Sequence, residues 1–300
     1  EFRAEFYIAR LKSLGAPPAK QQVSTAPPPA YTPAATTFSA AMAAAAPAGS
    51  TRLAYFDDMG AIRSTATVLS LHQEEGGRRA VVLDATIFHP QGGGQPADTG
   101  AISSAGARFL VHDARAKDGV VFHYGRFEDT AGDGRTPPEL KEGESVTLEI
   151  NAERRSLNSR LHSAGHLLDS CMTNLGLNLE PGKGYHFPDG PSVEYKGVIP
   201  ADQLQDKKIQ LEKQANELIS KGAKVLVSVF PYDEAAKLCG GALPSYISKD
   251  STPRIVKFGD YPGCPCGGTH VADVADIGNL KVTSIRVKKG VTKVSYSVSP

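Results

Sequence analysis

Short runs of β-branched and aromatic residues, separated by turn-forming residues, dominate the chain from Arg52 to Ile150. Alternation and β-propensity predict strands, which lie at 66–71, 80–84, 109–113, 120–124 and 145–150. Glycine-containing turns and one long polar stretch separate these runs. Because many short strands at this spacing are typical of a closed sheet, we expect a small β-barrel of roughly a hundred residues.

The hydrophobic period changes at Asn151, a residue type that caps helices. Beyond it, apolar residues recur every three or four positions as far as Leu175, so the pattern predicts an amphipathic helix that ends at Gly176. A second apolar stripe predicts a helix over 201–221. Both helices belong to the half of the chain that follows the predicted barrel.

The rest of this half mixes strand and helix patterns. We expect a short helix at 233–238 and strands, which lie at 224–230, 254–258, 280–287 and 291–298. Lys288, Lys289 and Gly290 join the last two strands as a hairpin. The fold class is therefore α+β, a small β-barrel followed by an α+β domain with an antiparallel sheet.

Residues 1–50 are rich in Ala and Pro and poor in large apolar side chains, so we expect a disordered extension. Met42, followed by four alanines, reads as a natural start and favours a cytoplasmic protein. The alternative is a plastid or mitochondrial location, with residues 1–50 as a transit peptide. The barrel then covers 51–150 and the α+β domain 151–300.

Charge and composition exclude several classes of protein. The 33 basic and 32 acidic residues give a net charge of +1, which argues against a histone-like or acidic-tail protein but permits a local basic surface. No apolar run approaches the roughly 20 residues of a membrane-spanning helix, so we expect no membrane partner. Four cysteines are too few for a disulfide scaffold.

Two histidines on the first predicted helix form a candidate metal site. His162 and His166 are four residues apart, so both imidazoles lie on one face of the helix. Helix-borne pairs at this spacing recur in zinc sites. Ser163 follows the first histidine where a metalloprotease has Glu, so no carboxylate base is built in.

A second pair lies about a hundred residues later. Cys266 and His270 are also four apart, and two intervening glycines let the backbone bend so that the side chains converge. With the helical pair, they complete a tetrahedral shell of N and S donors for Zn²⁺. A purely structural zinc is a serious alternative because four protein ligands suggest a closed site. Cys264 is a minor alternative ligand.

Together, His162-x3-His166 and Cys266-Gly-Gly-Thr-His270 resemble the editing domain of alanyl-tRNA synthetase and its free-standing AlaX relatives, and the second additional domain of threonyl- and alanyl-tRNA synthetases. Gly92-Gly-Gly94-Gln95-Pro96 resembles the glycine-rich segment of the family's barrel. The resemblance implies a zinc-dependent hydrolase, an aminoacyl-tRNA deacylase acting on alanine tRNA mischarged with serine, with glycine as a further candidate. The partner would be the tRNA acceptor end, and we expect a monomer.

The resemblance also suggests substrate contacts, which are Gly92, Gly93, Gly94, Gln95, Gly165 and Thr269. Gly165 stands where synthetase editing domains commonly carry Thr, which leaves the preference among serine, glycine and alanine open. Ser163 and His89 are weaker candidates. The catalytic group is unassigned, with a zinc-bound water as the candidate. The other histidines, 72, 112, 123 and 186, have no partner spacing and are interpreted as surface or structural.

Basic residues on two elements are candidate tRNA contacts. They are Arg154, Arg155 and Arg160 on the helix and Lys281, Arg286, Lys288, Lys289 and Lys293 on the last hairpin. A solvated sheet edge that lysines protect from aggregation explains the hairpin equally well. Two rival functions stay open: a tRNA-binding module with structural zinc, and an editing enzyme for threonine tRNA.

Overall fold

The computed structural model describes residues 49–74, 76–129 and 137–300. In these ranges the chain is mixed α+β, with a closed barrel, further antiparallel sheets and three α-helices. The predicted disordered extension over 1–50 lies outside the described residues except for its last two. None of the helices in the described ranges combines the length and the apolar character needed to span a membrane.

Six strands close the barrel: β1 (Arg63–Gln73), β2 (Arg79–Leu83), β3 (Gly100–Ser103), β4 (Arg108–Lys117), β5 (Val120–Phe127) and β6 (Ser145–Ile150). Their order around the barrel is β1-β2-β5-β4-β3-β6. Leu83, Ile102, Phe109 and Leu148 are fully buried in its interior. Sequence patterns indicate five of these strands, whereas β3 is too short to show alternation.

The second half contains α1 (Ala152–Asn174), β7 (Glu180–Tyr185), β8 (Ser192–Lys196), α2 (Leu204–Lys221), β9 (Val225–Val229), α3 (Tyr232–Leu238), β10 (Arg254–Phe258), β11 (Cys264–Pro265), β12 (Asn279–Lys288) and β13 (Val291–Ser299). One sheet has the order β12-β13-β8-β7 and a smaller one β9-β10-β11. The strands β7 and β8 were not predicted, because Pro181, Gly182 and Gly184 obscure the first and the second is short.

The helix α1 lies at the centre of the second half. Its N-terminus is capped as predicted, since the Asn151 side-chain oxygen accepts a hydrogen bond from the Arg154 backbone N–H at 2.8 Å. Leu161 and Leu168 pack in one apolar core with Tyr195 of β8 and Val294 of β13. Because α1 is covered on several sides, the side chains it carries inward are held away from solvent.

The predicted hairpin of β12 and β13 is present, with Lys288 paired to Val291. Lys289 and Gly290 form its two-residue turn with φ of 50° and 77°. Positive φ at both central residues defines the turn type whose twist matches that of the flanking strands, and glycine takes the second position at no steric cost. The turn therefore fixes the register that alternation indicates.

A buried ion pair joins the barrel to α1. The Arg155 guanidinium lies 2.6 Å from the Asp98 carboxylate, and both side chains are at least 96% buried. Arg155 also donates to the backbone oxygens of Met59 and Ile87. Since Asp98 additionally accepts the His89 backbone N–H, one carboxylate links the barrel's loop to the helix.

Of the three arginines of α1 predicted as tRNA contacts, one is not available for that role. Arg155 is buried in the ion pair and is not accessible to phosphate. Arg154 donates from Nε to the Ala97 oxygen at 2.9 Å, and Arg160 donates from Nε to the Ile277 oxygen at 2.9 Å. Their guanidinium groups hold α1 against the neighbouring backbone.

Replacing Arg155 by Ala should lower the free energy of unfolding by about 3–5 kcal/mol, because it leaves the Asp98 carboxylate buried without its cation. Urea denaturation monitored by circular dichroism measures the change. Arg52→Ala is the matched control, since its ion pair with Asp57 is exposed (50% and 72% for the two side chains). That variant should lose no more than about 1 kcal/mol. Equal losses in the two variants would contradict the proposed role of the buried pair.

Candidate metal centre

Four side chains converge between α1 and the loop after β11. His162 and His166 come from α1, Cys266 and His270 from the loop, and their ligand atoms all lie within 4.8 Å of one another. The Cys266 sulfur is 3.5 Å from His162 Nε2 and 3.6 Å from His270 Nε2. Donors bound to one tetrahedral ion at zinc distances lie about 3.3–3.7 Å apart. The four residues predicted from their spacing are thus brought together in a group that could hold a metal ion.

Arg254 holds the loop that carries two members of this group. Its Nη1 donates to the backbone oxygens of Cys266 and Gly268, each at 2.8 Å, while the Cys266 N–H donates back to the Arg254 oxygen. The guanidinium lies over the Phe56 ring, 4.6 Å from its centroid. Burial lowers the pKa of Arg254 from its ordinary value. The cation beside Cys266 favours a thiolate there.

Gln95 orients one of the ligands from the barrel side. Its Oε1 accepts the Thr269 backbone N–H at 3.0 Å and lies 2.8 Å from His162 Nδ1. Since that oxygen is an acceptor, His162 donates from Nδ1, and its Nε2 turns towards Cys266. Gln95 Nε2 donates to Thr269 Oγ1 at 2.9 Å. Gln95, which is predicted as a substrate contact, forms a hydrogen bond with the candidate metal ligand His162.

The glycine loop positions this glutamine. Gly92 and Gln95 exchange backbone hydrogen bonds of 3.2 and 2.9 Å, which closes a tight turn. Gly94 has a φ of 79°, and a Cβ there would collide with the Gly184 oxygen of β7. The loop therefore lies directly against the second half, and Gly94 permits the close approach of the two backbones.

Cys264 lies beside the group without belonging to it. Its sulfur is 3.4 Å from His166 Nδ1, and Pro265 separates it from Cys266. The Phe258 ring also packs near the His166 ring, with centroids 5.6 Å apart. The weak candidate Ser163 instead supports the loop, since its Oγ accepts the Val271 N–H at 3.1 Å.

Thr269 is buried among the same hydrogen bonds. Besides Gln95, its Oγ1 contacts Ser159 Oγ at 2.7 Å. Ser159, which sequence patterns did not single out, lines a groove of about 700 Å³ together with Phe56, Met59, Val227 and His270. Of the four candidate ligands, the groove is lined by His270. A helical serine three residues before a ligand gives no signal in sequence.

The remaining histidines fall into three environments. His72 and His112 are exposed on the barrel, as interpreted. His123 is structural: it is buried against Thr86 and the Val81 oxygen, and burial lowers its pKa to about 4. Burial likewise lowers the pKa of His89 to about 4. His186 was interpreted as surface or structural, yet its ring stacks on His162 with centroids 4.6 Å apart.

The hairpin candidates for tRNA contact are placed on an exposed face. Lys281, Arg286, Lys288, Lys289 and Lys293 all have exposed side chains. Arg286 lies directly opposite Lys293 in the register, and Glu194 of β8 lies on the other side of Lys293. The hairpin therefore presents a basic strip with one acidic neighbour.

Replacing Gln95 by Ala should weaken Co²⁺ binding about 10–100-fold, because His162 loses the acceptor that fixes its ring orientation. Titration monitored by cobalt absorption spectroscopy gives the affinity. Gln73→Ala is the control, since Gln73 is exposed at the end of β1. Unchanged affinity in Gln95→Ala would exclude a role for this carboxamide in orienting the ligand.

Comparisons with known proteins match both halves of the chain. A family model described as tRNA synthetases class II (A) matches residues 41–154. The model of the threonyl and alanyl tRNA synthetase second additional domain matches residues 254–294. The second match contains Cys266 and His270, and the first contains the glycine loop.

Individual relatives agree with the family models. The alanyl-tRNA editing protein AlaX-L of Pyrococcus horikoshii is 33% identical over 211 residues, which are 70% of this chain and 48% of that protein. An alanine–tRNA ligase of Burkholderia thailandensis is 32% identical over 233 residues, which are 76% of this chain and 25% of the ligase. The chain thus spans about half of one relative and a quarter of the other. With both halves matched and the His and Cys pairs brought together, the chain is similar to alanyl-tRNA editing proteins and to part of the alanine–tRNA ligases.

Proposed function

We propose that this chain is an aminoacyl-tRNA deacylase that hydrolyses the ester of alanine tRNA mischarged with serine, with glycine as a second substrate. The observation that carries the proposal is the convergence of His162, His166, Cys266 and His270 in a chain with this relationship. The names of AlaX-L and of the alanine–tRNA ligase support alanine tRNA as the nucleic acid.

Zn²⁺ is the metal that best fits these residues. Three imidazoles and one thiolate form an N/S donor set of the kind zinc prefers, with separations that suit a tetrahedron. A bound Zn²⁺ would supply Lewis-acid polarisation beside the scissile ester. His162 is already turned to offer Nε2, because Gln95 accepts from its Nδ1.

The groove supports a route for the aminoacyl group. Ser159 and His270 line it together, so a substrate that enters meets a hydroxyl beside the metal centre. A site that hydrogen-bonds the serine hydroxyl discriminates against alanine, which lacks it. We assign this contact to Ser159 rather than to the predicted Thr269, because Ser159 lines the groove and Thr269 does not.

The tRNA itself would contact the basic hairpin. Its five exposed cations form a local basic strip that suits a phosphate backbone, and the near-neutral charge of the whole chain, +1, does not conflict with such a strip. Arg155 of α1 is not part of this surface, because it is buried in its ion pair with Asp98. Arg154 and Arg160 are half-exposed and stay predicted contacts. The proposal therefore places tRNA affinity on the hairpin and chemistry at the metal centre.

A structural zinc is the competing function. Four protein ligands complete a tetrahedral shell, so substrate or water needs a fifth position or the displacement of one ligand. Cys266 is the most exposed of the four and is the ligand most easily displaced. A threonine-tRNA substrate is the second competitor, because the model that matches residues 254–294 describes both synthetases.

The deciding measurement is deacylation by the purified chain of Ser-, Gly- and Ala-charged alanine tRNA, with and without a chelator. We expect hydrolysis of the serine ester and at least about a 100-fold loss of kcat/KM in His166→Ala, since Lewis-acid stabilisation of several kcal/mol disappears. His72→Ala, an exposed histidine, should retain full activity. Ser-charged threonine tRNA tests the second competitor. If no ester is hydrolysed, the proposed activity is wrong.

Replacing Lys288, Lys289 and Lys293 together by Ala should raise KM and leave kcat unchanged, because phosphate contacts bind ground and transition states alike. The plot of log KM against log salt concentration should become shallower by about 0.7–0.9 for each contact removed. The control replaces Lys207, Lys208 and Lys213 of α2, where Lys213 already lies near Glu217. An identical salt slope in the hairpin variant would exclude this surface.

A further inference from the structure

His186 lies between the barrel, β13 and the candidate metal ligand His162, although its spacing in the sequence does not indicate a site. It follows β7 directly and is fully buried. Its backbone N–H donates to the Gly94 oxygen at 2.8 Å, and its ring Nδ1 lies 2.6 Å from the Tyr296 hydroxyl. One residue thus connects the barrel's glycine loop to the sheet strand β13.

The hydrogen bonds of Tyr296 define the orientation of this ring. The Tyr296 hydroxyl donates to the Leu161 backbone oxygen at 2.9 Å, and it carries a single proton. It therefore accepts the bond from His186, which donates from Nδ1. The imidazole is anchored at that edge to a residue bound in turn to α1, one position before His162.

Gly165 allows α1 to approach this ring. A Cβ at position 165 would collide with His186 Cε1 and would lie 2.9 Å from its Nδ1 and 3.2 Å from the Tyr296 hydroxyl. The imidazole therefore takes the space that any other side chain at position 165 requires. This pairing explains physically why glycine stands before His166.

The face of the His186 ring packs on His162. The two imidazoles are stacked, with centroids 4.6 Å apart and planes inclined by 23°. Gln95 contacts the edge of the same His162 ring at Nδ1. The edge contact fixes which nitrogen faces inward, and the stacked ring restricts tilt of the imidazole plane.

We propose that His186 is a positioning residue of the metal centre, which holds the plane of the His162 imidazole so that Nε2 faces Cys266 and His270. The inference rests on the metal site of the proposed function but not on the identity of its substrate. It requires that His186 act through packing on His162, with Gly165 as the complementary surface.

His186→Ala should weaken Co²⁺ binding about 10-fold, in the range found when outer partners of metal ligands are removed. The cobalt absorption bands should also shift, since a tilted His162 distorts the coordination. His112→Ala, an exposed histidine on the barrel, should match the wild type in both measurements. Wild-type affinity and spectrum in His186→Ala would overturn the proposal.

A compensating pair of substitutions distinguishes packing from general destabilisation. Gly165→Ala alone should weaken Co²⁺ binding, because the new methyl group displaces His186. In the His186→Ala background the same methyl group finds room, so Gly165→Ala should there cause little further loss. Such non-additivity is expected of groups in contact and not of distant, independent positions. Strictly additive losses in the double variant would refute the role of this contact.

If His186→Ala does not fold, Tyr296→Phe provides a second test of the same proposal. It preserves ring volume and removes only the hydroxyl that accepts from His186, so we expect weakened Co²⁺ binding with an unchanged far-ultraviolet spectrum. Wild-type binding would contradict the proposal. A chain that binds Co²⁺ as predicted but hydrolyses no aminoacyl-tRNA would refute the deacylase function alone, whereas absence of Co²⁺ binding in the wild type would refute this inference as well.

Discussion

The hydrogen bonds of the Gln95 carboxamide are the interaction on which the candidate metal centre depends. This side chain belongs to the barrel, yet its two ends hold His162 of α1 and Thr269 of the ligand loop. A fully buried amide is costly unless its donors and acceptors are satisfied. The position of the loop that carries it is in turn fixed by the buried pair of Asp98 and Arg155. The barrel therefore completes the centre and is not a separate appendage.

The parts of the molecule that sequence predicts are those determined by local periodicity. Four-residue spacing on a helix places His162 and His166 on one face regardless of what surrounds them. The turn at Lys289 and Gly290 is equally local, because positive φ at two successive residues specifies the hairpin. In both cases the geometry follows from neighbours within a few residues along the chain.

The parts that sequence does not predict depend on distant partners. His186 and Tyr296 are 110 residues apart, and neither has a spacing that suggests a site. Arg155 resembles an exposed helical cation in sequence, and only the position of Asp98, 57 residues earlier, makes it a buried one. No periodic pattern records such pairs, since they form only when the barrel packs against α1.

Burial divides the four cysteines into two chemical types. Burial raises the pKa of both Cys171 and Cys239 to about 12, so these thiols stay protonated and are poor metal ligands. Cys266 is partly exposed and lies beside the Arg254 guanidinium, whose positive charge favours the thiolate. The thiol chemistry of the chain is thereby concentrated in the loop after β11.

Close approach of elements explains why this loop has no side chain at position 268. A Cβ on Gly268 would collide with the His162 imidazole and would lie 2.8 Å from Gln95 Oε1. Gly94 meets the same restriction against β7 on the barrel side. Gly268 lets its loop contact the His162 ring, and Gly94 lets the barrel loop contact β7; a side chain at either position would prevent the contact. The compactness of the centre therefore comes as much from the missing Cβ atoms at Gly94 and Gly268 as from the donor side chains themselves.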